Sequence, residues 1–145
     1  GSMRRMNRRE AREKCIKVLY QIDLSANSIE ESIASVLECD GDTDEPDVDT
    51  QFLRELVDGV LENLEAIDTE IRDATLRWSP DRLGKVELAI LRLGVYEILH
   101  RPDIPEAVTV NEAVELAKEY GSEESARFVN GVLAGVIKRN RESGR

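Results

Sequence analysis

The sequence predicts an all-α fold of about seven helices in two packed helical subdomains, and three observations predict it. Apolar residues recur at helical spacing in segment after segment. No segment alternates convincingly with period two. The breaks between segments carry helix start and stop signals, among them Ser79-Pro80, Arg101-Pro102 and Gly121-Ser122. A chain of 145 residues is long enough to bury a core without staples. The subdomains are expected at residues 3–65 and 66–145, and no repeat of 20–50 residues is evident. Gly1 and Ser2 read as the remnant of an expression tag, with Met3 as the native start.

Each element has its own signature. Over about residues 6–24, Ala11, Cys15, Val18, Leu19 and Ile22 make one apolar face. Arg5, Arg8, Arg9 and Arg12 form a second stripe beside it, and Tyr20 continues near that stripe. A short helix at about 29–38 carries Ile29, Ile33, Val36 and Leu37. The third, about 49–65, carries Phe52, Leu53, Leu56, Val57, Val60, Leu61 and Leu64, and a fourth runs through residues 68–76. Ser79-Pro80 supplies an N-cap followed by proline at the first helical position. The helix it opens, about 80–100, is apolar almost all round and is expected to be the central buried one. Arg101-Pro102 ends it. The sixth helix starts either at Thr109-x-x-Glu112, as a capping box, or earlier, near Glu106. The last, about 123–140, turns Phe128, Val129, Val132, Leu133, Val136 and Ile137 inward. Its Gly131 and Gly135 are expected to admit a close helix neighbour.

Charge is distributed against the grain of the chain. The formal net charge is −10, yet residues 1–20 hold seven basic side chains and two acidic ones. A basic helix on an acidic body points to one local surface for an anion, nucleic acid above all, since the remainder repels phosphate. A solvated helix face without a partner is the competing explanation. The stretch 38–49 is strongly acidic and reads as a solvated loop. Its Asp40, Asp42 and Asp44 imitate a calcium loop. Glu45 then stands where that loop needs glycine, and Gln51 where it needs glutamate, so no metal site is expected. Two cysteines without a C-x-x-C exclude a disulfide scaffold and fit a reducing compartment. Phosphate-binding glycine loops and nucleophile elbows are absent. The lone His100, at a helix end, suits a C-terminal cap. No catalytic residue, no cofactor and no membrane span are expected, and the protein is read as a non-enzyme.

The strings R-R-E-A-R-E-K-C-I-K-V-L-Y (8–20), N-E-A-V-E-L-A-K (111–118) and F-V-N-G-V-L (128–133) closely resemble the NusB family of bacterial transcription antitermination factors. The resemblance runs in order from about Arg8 to Lys138 and is weak over residues 29–50. It implies a cytoplasmic, non-enzymatic protein of bacteria. Such a protein binds boxA-type single-stranded leader RNA together with NusE, a small-subunit ribosomal protein. With other antitermination factors it joins RNA polymerase, notably on ribosomal RNA operons.

Residue by residue, the resemblance places Arg8, Arg9 and Arg12 in the family's RNA-binding arginine segment, beside Arg5. It makes Tyr20 and Phe128 RNA-proximal aromatics, puts Glu124 and Arg127 beside the RNA surface, and gives Glu87 to the NusE contact. Glu10 and Lys14 depart from the run of three arginines seen in relatives. Phe128 shares an apolar stripe with Val129 and Val132, so core packing stays open for it, as a salt bridge does for Arg12. Asn111 and Asn130 are read as structural, closing buried backbone groups. Some relatives self-associate, which makes a homodimer possible.

Two further functions compete. The fold also resembles the N-terminal domain of some ribosomal RNA cytosine methyltransferases, but a chain ending at Arg145 has no cofactor-binding βαβ unit. A pure protein-interaction module is the other; sequence-blind, salt-insensitive RNA binding would favour it.

Overall fold

The computed structural model describes residues 4–5, 7–24, 28–39, 48–75 and 84–142. Among them are seven α-helices and one two-residue pair of strands. The chain divides into two compact units, Gly1–Gly59 and Val60–Arg145.

The first unit contains β1 (Arg4–Arg5), α1 (Arg8–Leu24), α2 (Ile29–Cys39), β2 (Val48–Asp49) and most of α3 (Gln51–Glu62). β1 and β2 run parallel, with Arg4 opposite Val48 and Arg5 opposite Asp49. So short a ladder leaves no period-two signal, which is why the sequence does not announce it. Both early helices open on reciprocal caps. The Glu10 N–H donates to Asn7 Oδ1 at 2.8 Å while the Asn7 N–H donates to Glu10 Oε1 at 3.4 Å. Ser28 and Glu31 repeat the arrangement at 3.1 and 3.2 Å. Glu10 therefore interrupts the arginine run because it closes the start of α1. α1 packs on α2. It buries Ala11, Cys15, Val18 and Leu19, as its apolar face predicts, and also Ile16. Each large aliphatic side chain so buried contributes about 1.5–3 kcal/mol.

The second unit is built from α4 (Leu64–Ala74), α5 (Lys85–His100), α6 (Glu106–Tyr120) and α7 (Glu123–Glu142). α4 starts four residues before the expected Asp68, because only the non-helical Asn63 separates it from α3. With neither glycine nor proline there, one apolar rhythm runs through both helices. α5 packs against α4, α6 and α7 and is the central helix of this unit, burying residues 89–91 and 93–97. It begins at Lys85 after the extended Gly84, five residues later than expected. The Ser79-Pro80 start signal lies outside the described residues, as does the triad Asp40, Asp42 and Asp44. At its far end the Arg101 N–H closes the last turn on the Glu97 carbonyl. A bidentate hydrogen bond to Asp103 (3.0 Å each) pushes the Arg101 guanidinium above its ordinary range.

Of the two starts expected for α6 the earlier one holds, and the expectation of a close approach at Gly131 and Gly135 is corrected. α6 starts at Glu106 behind Pro105, so Thr109 is no cap. It is buried one turn inside the helix, where its hydroxyl donates to the buried Glu97 Oε1 at 2.7 Å. The close helix approach lies at Gly94, not at Gly131 or Gly135. A Cβ on Gly94 would stand 3.0–3.1 Å from the Leu133 methyls, joining α5 to α7. Gly131 is exposed, and a Cβ on Gly135 would meet Ala74 at an ordinary 3.8 Å. Ion pairs bind the periphery: Arg92 to Asp68 at 2.9 and 3.0 Å, Arg139 to Asp73 at 2.9 Å, and Arg141 to Glu106 at 2.8 Å.

Candidate nucleic-acid interface

The first unit gathers cations at one helix start. Arg8 and Arg9 are the first two residues of α1 and both are exposed. The partial positive charge of the helix N-terminus adds to theirs. Glu10, the nearest carboxylate in sequence, is occupied by the cap. The Arg8 guanidinium carbon sits over the ring of Phe52, 4.7 Å from its centroid. Phe52 is the second residue of α3 and is half-buried. By sequence Phe52 belongs only to an apolar stripe; its place beside Arg8 goes with the β1–β2 pairing, which the sequence does not reveal.

The arginine stripe then turns inward. Arg12 is 4% exposed and Lys14 is buried too. Tyr20 is 37% exposed and presents its ring to solvent further along α1. Arg5 lies in β1, and its side chain lies outside the described residues. In chemical terms, Arg8 and Arg9 can donate bidentately to phosphate, and Tyr20 can stack on an unpaired base.

The second unit collects its candidates at the start of α7. The Ser125 N–H donates to Ser122 Oγ at 3.1 Å, which caps the helix. The Ser125 hydroxyl donates to Glu87 Oε2 at 2.8 Å. The Glu87 carboxylate also folds back over Gly84, and would have to swing aside for a Cβ there. Gly121 is more tightly constrained, because a Cβ would stand 2.9 Å from the Ala117 backbone carbonyl. Glu87 is therefore tied to the helix start that carries the exposed Glu124 and Arg127. Phe128 points the other way and is 7% exposed, within the core. Ser125 escaped the sequence reading because its partner lies 38 residues away.

Asn111 and Asn130 do not close buried backbone groups. Both are exposed and line an open groove with Val110, Val114, Ala134 and Ile137. His100 is exposed on the last turn of α5 and stacks on Tyr96, ring centroids 5.7 Å apart. Among the described residues no three His, Cys, Asp or Glu side chains are grouped to hold a metal ion. No described helix is long and apolar enough to cross a membrane.

The profile of the NusB family matches residues 9–138. The chain belongs to the NusB family. The transcription antitermination protein NusB of Exiguobacterium sp. is 46% identical over 135 residues, covering 93% of this chain and all of that protein. A chain in the crystal structure of a plectonemic RNA supercoil superposes with a TM-score of 0.82 at 33% identity, covering 94% of this chain and 98% of its own. A chain in the crystal structure of antitermination factors NusB and NusE in complex with double-stranded RNA gives 0.78 at 33% identity, covering 91% and 96%. The region of this NusB-family chain that matches the family holds Arg9, Arg12, Tyr20, Glu87, Glu124, Arg127 and Phe128.

Proposed function

We propose that this protein is a transcription antitermination factor that binds boxA-type leader RNA with NusE and acts without catalysis in the bacterial cytoplasm. The observation that carries this reading is the start of α1. Exposed Arg8 and Arg9 open the first helix of a chain whose net charge is −10. The Phe52 ring orients Arg8 without neutralising its charge, and an RNA backbone is a ligand that such exposed cations suit. Two comparisons support it: the Exiguobacterium relative is an antitermination protein, and one structural neighbour holds NusB, NusE and RNA together.

In this reading Arg5, Arg8 and Arg9 hold phosphates, and Tyr20 offers a stacking face. Arg127 adds a cation at the start of α7, and Glu124 beside it limits how closely phosphate approaches. Arg12 and Phe128, both enclosed, support these surfaces from within. Glu87, held by Ser125, meets NusE. The RNA and NusE then carry the protein to RNA polymerase with the other antitermination factors.

Fluorescence anisotropy of a labelled boxA-type RNA tests the proposal, against a base-scrambled copy and a duplex, with and without NusE. The proposal requires preference for the single-stranded boxA sequence and tighter binding with NusE. Equal, weak binding to all three RNAs in both conditions would contradict it.

A further inference from the structure

We infer that Phe52 is a positioning residue for RNA binding: it holds Arg8 in a fixed, outward pose before RNA arrives. The inference rests on the proposed role of Arg8 and extends it to a residue on another helix. Three pairs in the first unit keep one register, Arg4 with Val48, Arg5 with Asp49, and Arg8 with Phe52. The first two are backbone pairs in the β1–β2 ladder, and the third is the guanidinium over the ring. The segment that leads into α3 therefore runs alongside the segment that leads into α1, and sets it in place.

The physics favours this arrangement for a binding arginine. Arginine is long and has many rotamers, so ordering it on contact with a ligand weakens binding. A cation held over an aromatic face has already lost that freedom. A ring offers no hydrogen-bond acceptor in its plane, so the five guanidinium N–H groups stay available for phosphate or a base edge. A carboxylate in the same place would occupy those donors and cancel the charge. Arg54, also on α3, shows the contrast: its guanidinium pairs with Glu30. Arg8 is exposed while Phe52 is half-buried, so the ring is anchored and the cation faces solvent.

A double-mutant cycle in the full-length chain tests the inference. The variants are Phe52→Leu, Phe52→Tyr, Arg8→Ala and Phe52→Leu with Arg8→Ala, read by anisotropy with the labelled boxA-type RNA. Phe52→Leu is expected to weaken binding about two- to fivefold, the scale of an exposed cation–π contact. Phe52→Tyr, which keeps the ring, is expected to bind like the parent. In the Arg8→Ala background, Phe52→Leu is expected to cost nothing further.

Parental affinity of Phe52→Leu, or the same loss in both backgrounds, overturns the inference. The second outcome assigns Phe52 to folding alone, and thermal melting of each variant accompanies the cycle to show it. If Arg8→Ala itself leaves affinity unchanged, the proposed role of Arg8 fails and this inference with it. If Arg8→Ala weakens binding while Phe52→Leu does not, only the inference fails.

Discussion

The two units treat charge in opposite ways, as their principal helices show. α5, in the second unit, buries eight residues, of which Glu97 alone is charged, and Glu97 accepts a hydrogen bond from Thr109. α1, in the first unit, encloses Arg12 and Lys14 among its apolar residues and leaves Arg8, Arg9 and Tyr20 outside. Packing alone accounts for α5. α1 differs, since lysine and arginine are rarely enclosed unless paired, and Arg12 and Lys14 are enclosed with interaction partners. The contrast teaches that the second unit's central helix hides its one buried charge in a satisfied hydrogen bond, whereas the first unit's α1 presents Arg8, Arg9 and Tyr20 at its surface.

That contrast can be broken from the side of cohesion first. Leu133→Ala removes the side chain that fills the space over Gly94, and is expected to cost about 2–5 kcal/mol in denaturant unfolding. A loss under about 1 kcal/mol would mean that the second unit is not held by this contact. Thr109→Val leaves the buried Glu97 short of a donor and should cost about 1–3 kcal/mol. Combining it with Glu97→Leu should cost less than the two changes summed, because neither partner is then stranded.

Smaller effects sharpen the account of the first unit. Asn7→Ala removes the cap of α1 and should cost about 1 kcal/mol, seen as faster hydrogen exchange over residues 8–11. Ser32 is fully buried and its hydroxyl has no hydrogen-bond partner among the described residues. Ser32→Ala should therefore shift stability by no more than about 0.5 kcal/mol, or raise it, in the same unfolding measurement. A large loss would point to a hidden partner for that hydroxyl.

Much of this was legible in the sequence. The helical rhythm marked all seven helices, and the all-round apolar character of residues 86–99 singled out α5. Boundaries were less legible, for identifiable reasons. Asn63 interrupts the helix between α3 and α4 without glycine or proline, while the apolar rhythm runs on through both. Thr109-x-x-Glu112 imitates a capping box inside a helix that Pro105 had already opened. Gly131 and Gly135 carry the spacing of a close contact, but the contact depends on which glycine faces a neighbour, and that is Gly94. At the candidate site, the arginine cluster was visible from charge alone, while the inward turn at Arg12 was not. Phe52 and Ser125 were hidden because their partners are distant in sequence. Asn7-x-x-Glu10 was the missed local signal, since it explains why a glutamate stands among arginines.

The central claim is that RNA is held by the start of α1 and not by the protein's cations in general. The most direct test is the salt dependence of boxA-type RNA affinity for three proteins: the parent, Arg8→Ala with Arg9→Ala, and Arg139→Ala, whose guanidinium is paired with Asp73. The account predicts that the α1 variant loses about 0.7–1 unit of slope for each lost phosphate contact, while Arg139→Ala keeps the parental slope. Parental slope in the α1 variant, or an equal loss in both, would contradict it.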